Sequence, residues 1–153
     1  MKKDRSRPES YYRDLVAKFL RRHYGCVVLT ELDFNGPKFD VVGFSPRSEE
    51  FYVVECKKTS RPVGIGQTFG QILAYKAMLL ESGRKFLTAF ERDLRKKGGL
   101  RKPFWEYAAR FAERGKIPVR FFVALRQKAC AHYDLLRALK NDLRRVGIIR
   151  INN

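Results

Sequence analysis

Histidine is scarce in this sequence: His23 and His132 are the two it contains. That excludes a histidine-rich metal centre and leaves little basis for a Ser-His-Asp triad. Cysteine is nearly as sparse. Cys26, Cys56 and Cys130 are odd in number and no pair has C-x-x-C spacing. A disulfide framework and a structural zinc site are therefore not expected, and a reducing compartment fits best. No apolar run approaches the ~20 residues of a membrane span, so no membrane partner is expected. The opening MKKDRSRPES lacks the apolar stretch of a signal peptide, and an intracellular, cytoplasmic protein is expected. Internal repeats and low-complexity tracts are also absent.

Acids are the other deficit. Sixteen Asp and Glu face 33 Lys and Arg, a net charge of +17. Such an excess says nothing about fold, but it attracts polyanions, and nucleic acid is the commonest of these. A length of 153 residues with 44% hydrophobic composition suits a single domain with a real core.

Residues 1–8 read as a basic tail. Pro8 and Glu9 suit the first turn of a helix, and apolar residues then recur at helical spacing to Tyr24, with Gly25 as the C-terminal stop. Residues 26–32, 38–44 and 51–57 read as three strands in a meander, split by Asn35-Gly36-Pro37 and by a polar turn holding Pro46. A helix is expected over 67–82, closed by Gly83. A fourth strand follows at 85–90 (KFLTAF), parallel to the third across this crossover. A basic loop at 91–102, a helix over 103–115, a strand over 119–125, a helix over 129–146 and a short edge strand at 148–151 complete the expectation. The fold class is α/β: an α-β-β-β-α-β core over residues 9–90, with a mixed sheet flanked by helices, and a C-terminal α-β-α(-β) extension over 91–153.

Two acids sit on apolar strands. Asp40 lies inside FDVVGF and Glu55 inside FYVVECKK, with Lys57 two positions on. Strand side chains alternate, so Glu55 and Lys57 share a face with Val53, while Tyr52, Val54 and Cys56 take the other. Buried charges without partners are costly, and a divalent cation held by two carboxylates relieves that cost. Carboxylates, carbonyls and water are hard oxygen ligands that suit Mg²⁺ or Mn²⁺. Such an ion lowers the pKa of a bound water, and Lys57 is placed to orient that water or to stabilise phosphate charge. An isolated E-x-K on a strand reads more readily as a cross-strand ion pair of Lys57 with Asp40 or Glu55, since short motifs match often by chance.

The order of elements bears on that choice. Asp40 and then Glu55-Cys56-Lys57, on successive strands between two helices, resembles the PD-(D/E)xK nuclease superfamily, whose core is α-β-β-β-α-β. The resemblance covers residues 9 to about 90. It implies a restriction-endonuclease-like fold and a metal-dependent nuclease that hydrolyses DNA phosphodiester bonds with a metal-activated water. Asp40, Glu55 and the backbone carbonyl of Cys56 are then metal ligands, and Lys57 assists the water. An acid on the first helix often joins them; Glu9, in phase with Tyr12 and Val16, fits better than Asp14, which is in phase with Lys18 and Arg21. Gln71 and Tyr75 match the Q-x-x-x-Y element of the RecB-like branch, where the Gln supports the site and the Tyr lies near nucleic acid. Gln67, one turn earlier, competes with Gln71. Phe39 stands where the family usually has Pro, and residues 91–153 match no element of it. Junction resolvases, repair nucleases and restriction enzymes belong to this superfamily, and some form homodimers.

Nucleic acid, DNA before RNA, is the expected partner. Lys38, Lys58 and Arg61 flank the carboxylates, and the 91–102 segment adds Arg92, Arg95, Lys96, Lys97, Arg101 and Lys102. Arg137, Lys140 and Arg144 share a helical face with Arg145 beside it, which reads equally as a solvated surface. Phe104, Trp105 and Tyr107 are expected in the core rather than stacked on bases. The alternative reading is a non-catalytic nucleic-acid-binding module with the same fold.

Overall fold

A computed structural model describes residues 7–34, 36, 38–58, 61–97, 104–114, 117–130, 132–142 and 146–151. The first helix, α1, spans Glu9–Tyr24 and buries Tyr12, Val16, Ala17 and Leu20. Gly25 stops it in the left-handed conformation at φ 63°, where its N–H donates to the Arg21 carbonyl. A Cβ is disfavoured in that conformation, which is why glycine serves there.

Strands β1 (Val27–Asp33), β2 (Lys38–Ser45) and β3 (Glu50–Lys57) form the expected antiparallel meander. Helix α2 runs from Pro62 to Glu81, starting a turn earlier than expected, with Pro in its first turn. Gly83 does not merely end it but begins the next helix, α3, Gly83–Lys97. The strand expected at 85–90 is therefore absent. Phe86, Ala89, Phe90 and Leu94 are buried at helical spacing, and this longer period overrides the β-forming content of KFLTAF. Helix α4 (Phe104–Arg114) follows.

The parallel neighbour of β3 is β4, Val119–Arg126, three helices later rather than one. The helix expected over 129–146 is broken into α5 (Gln127–Cys130) and α6 (Tyr133–Asp142), and Val146 already belongs to strand β5 (Val146–Ile151), parallel to β4. The result is a five-stranded mixed sheet in the order β1-β2-β3-β4-β5, flanked by helices. Helix α1 covers one face over a small core of Val41, Tyr52, Val54, Cys56 and Ile149. Helices α2, α3 and α4 cover the other. There Phe51 lies 4.9 Å from Phe44, 5.1 Å from Phe86 and from Phe90, and 5.7 Å from Phe111, ring to ring. Tyr107 joins this core 5.0 Å from Phe44, as expected; the side chains of Phe104 and Trp105 lie outside the described residues.

Candidate active site

The sheet loses its regularity at Asp40. Between β1 and β2 the register pairs Thr30 with Val41 and Leu32 with Phe39, and omits Glu31 with Asp40. Between β2 and β3 it stops at Val41 with Val54, one step short of Asp40 with Glu55. Side-chain alternation breaks at the same point: Phe39 packs in the large core and Val41, two residues on, in the small one. Glu31 sits at φ 55°, a left-handed conformation that a non-glycine residue adopts at a cost of about 1 kcal/mol or more. Where the ladder opens, the Asp40 carboxylate turns across and its Oδ2 accepts from the Cys56 N–H at 2.8 Å. A side chain thus replaces the missing backbone bond and ties the middle of E-x-K to the first acid.

Glu55 stands beside it on the α2 side of β3, 4% exposed. Its Oε2 is buried without a hydrogen-bond partner. Burial first, then the negative charge of Asp40, pushes the Glu55 carboxyl up to about 8, opposed by the Lys57 ammonium. Burial also raises Asp40, countered by the Cys56 N–H and by the positive charge of Arg13. An acid driven to keep its proton beside a second carboxylate, with an orphaned oxygen, describes a site short of positive charge.

The expected residues divide. Asp40, Glu55, Lys57 and the Cys56 backbone are brought together. Glu9, in the exposed first turn of α1, is close enough for its charge to act on both acids, whereas Asp14 is simply exposed. Among the described residues no group of three or more His, Cys, Asp or Glu side chains is gathered closely enough to hold an ion by itself, and Glu9 stands as an electrostatic neighbour of the pair. Tyr75 arrives from α2, its ring 4.5 Å from that of Phe39. Burial, the charges of Glu55 and Asp40, and its hydrogen bond to Glu55 raise its phenol to about 12. Gln71 and Gln67 are exposed, and the structure shows neither hydrogen-bonded to the carboxylates. The Cys56 side chain faces the α1 core, and burial raises its thiol so far that it is no nucleophile, in line with the strand alternation.

The basic residues are spread more widely. Lys38 is exposed at the start of β2 and Lys58 half-buried just beyond β3, while Arg61 is exposed at the N-cap of α2. Lys96 and Lys97 are exposed in the last turn of α3, a different element from those that build the carboxylate pair. Arg101, Lys102, Arg144 and Arg145 lie outside the described residues, as does the Lys140 side chain. Two features escaped the sequence. Arg13 is a neighbour of Asp40 and pairs with Glu31 at 3.3 Å; its signal was the i, i+4 spacing from Glu9. Arg84, Lys85 and Arg92 line a cleft of about 530 Å³ against the β1–β2 turn, where Arg92 donates to the Asp33 carbonyl at 3.2 Å. Reading 83–97 as a helix would have put Arg84, Thr88 and Arg92 on one face.

Comparison with family models, with curated proteins and with solved structures finds no match. The chemistry of the site is therefore argued from its geometry. Two carboxyl groups and a backbone carbonyl at Cys56 form a hard-oxygen donor set that fits Mg²⁺ or Mn²⁺ rather than zinc. The partnerless Glu55 Oε2 is the observation that supports the fit. Among the described residues no helix is long and apolar enough to cross a membrane.

Proposed function

We propose that the chain is a metal-dependent nuclease of the PD-(D/E)xK type, with a restriction-endonuclease-like core carrying α3 and α4 as an insertion before the fourth strand. The observation that carries this reading is the buried Glu55 carboxylate, held beside Asp40 with one oxygen unpartnered, at the point where β2 and β3 part. Asp40, Glu55 and the Cys56 carbonyl would hold the ion. When bound, Mg²⁺ supplies Lewis acidity and makes water a stronger acid. Asp40 is oriented by the Cys56 N–H. The Lys57 ammonium lies close enough to act electrostatically on both acids, and it is placed to donate to a phosphate oxygen or to orient the attacking water. Tyr75 limits the freedom of Glu55 through its hydroxyl. Lys38, Lys58 and Arg61 stand on the elements around the acids and suit backbone phosphates of DNA, with sequence-tolerant, salt-dependent affinity.

The test is a cleavage assay on single-stranded, duplex and four-way-junction DNA with Mg²⁺, Mn²⁺ or EDTA. Metal-dependent cutting that disappears in Asp40→Asn and Lys57→Ala is expected. Tight DNA binding without cutting under any metal would replace the enzyme with a non-catalytic nucleic-acid-binding module.

A further inference from the structure

Helix α2 has two apolar faces, and the described residues cover one of them. Its inner face buries Ile65, Phe69, Ile72, Tyr75 and Leu79 against the sheet. Its outer face carries Val63, Gly66, Gly70, Leu73, Ala77 and Leu80, with no charge among them. Val63 is 74%, Leu73 45% and Leu80 77% exposed, and these are the exposed large hydrophobics among the described residues. Amphipathic surface helices present a polar face to water, so this one is arranged for a second contact.

The spacing of the six positions is three, four, three, four, three, the a/d seam of a helix pair. It also reads the same in both directions. Laid antiparallel on a second copy, Val63 meets Leu80, Gly66 meets Ala77 and Gly70 meets Leu73. Large residues close both ends, and each Leu73 faces the gap over a glycine. A two-fold interface requires this self-complementarity. Charge does not oppose it: Lys76 faces the neutral Gln67. The antiparallel helix dipoles also attract.

The glycines are an independent observation. Glycine is the poorest helix former after proline. Neither Gly66 nor Gly70 has a positive φ, and a Cβ on either would meet nothing within 4 Å. Nothing among the described residues needs them, whereas a second helix approaching the seam does.

We infer that the outer face of α2 is the interface of a homodimer, in which two α2 helices pack antiparallel about a two-fold axis between Gly70 and Leu73. The inference goes beyond the nuclease reading and does not depend on it, because its readout is mass rather than cleavage. Each α2 would still carry Tyr75 inward to its own carboxylates, so two sites would be related by the same axis.

Sedimentation equilibrium of nucleic-acid-free protein, at concentrations up to about 100 µM, should give twice the chain mass. The dimer should strengthen with salt, which screens the repulsion between two chains of +17. A dimer that forms only when nucleic acid is left in the preparation would be one bridged by it and would overturn the inference. Leu73→Glu should yield a folded monomer. The double variant Gly66→Ala/Gly70→Ala should act in opposite senses, raising the melting temperature of a Leu73→Glu monomer by roughly 4–8 °C while weakening the wild-type dimer by roughly tenfold or more. In a Cys130→Ser background, Gly66→Cys/Ala77→Cys should cross-link on oxidation and Leu73→Cys alone should not. A monomer at every concentration, a dimer that survives Leu73→Glu, or cross-linking through Leu73→Cys alone would each overturn the proposal.

Discussion

The two ends of β3 are built to different rules. At its start, Phe51 is fully buried among Phe44, Phe86, Phe90 and Phe111 in tilted and edge-to-face contacts. These side chains are apolar throughout, so their burial is favourable. At its end, four residues later, Glu55 is almost equally buried but is repelled by Asp40 and has an oxygen without a partner. The first end stabilises the fold. The second costs stability, and it persists because the first over-determines where the strand lies. That contrast, more than the presence of acids, marks the second end as a site.

The sharpest way to break the comparison is at the stabilising end. Phe51→Ala removes a ring from a close-packed cluster and should cost about 3–5 kcal/mol, read as a shifted denaturant midpoint. Changes at the other end should hit activity instead. Asp40→Asn and Lys57→Ala should lower cleavage by on the order of 10²–10⁴-fold while the melting temperature stays near that of the parent. If Asp40→Asn unfolds the chain, the acid is structural and the contrast fails.

A smaller effect follows from pH. The folded Glu55 holds a proton that the unfolded chain gives up at an ordinary carboxylate pKa. Stability is therefore fully present below that range and is lost as pH rises toward about 8. Asp40 shifts in the same direction. The metal-free protein should melt at a lower temperature at pH 8 than at pH 5. Glu55→Gln should flatten that slope and raise the melting temperature at pH 8, while abolishing cleavage. Added Mg²⁺ should stabilise the parent more at pH 8 than at pH 5, because binding needs both carboxyls ionised. A melting temperature that rises with pH in EDTA would contradict the repulsion. Least of all, Tyr75→Phe keeps the ring on Phe39 and loses only the hydroxyl at Glu55. It should change stability by about 1 kcal/mol or less, and cleavage by about tenfold or less.

Much of this was legible without coordinates, for local reasons. The 3.6 period with Gly25 as stop is enough for α1, and Asn35-Gly36-Pro37 and the turn at Pro46 divide the meander. Strand alternation alone puts Glu55 and Lys57 on the face away from Cys56. The misreading at 85–90 came from a short window. Six residues rich in β-formers look extended, whereas the spacing of Phe86, Ala89, Phe90 and Leu94 over a longer stretch is helical. Because 83–97 is a helix, the parallel partner of β3 is β4.

What the sequence by itself determined is the basic charge, the positions of the acids on their strands, and the facing of Glu55 and Lys57. These follow from composition and from the two-residue period of a strand. Only the tertiary structure decided that β1, β2 and β3 lose their ladder at Asp40, that its carboxylate reaches the Cys56 N–H, and that Arg13 and Tyr75 converge there from helices on opposite faces of the sheet. Those contacts join residues up to 35 positions apart in the chain (75 − 40). Their free energy depends on packing that no local pattern encodes, so the repulsion and the orphaned oxygen that define the site exist only once the chain has closed around them.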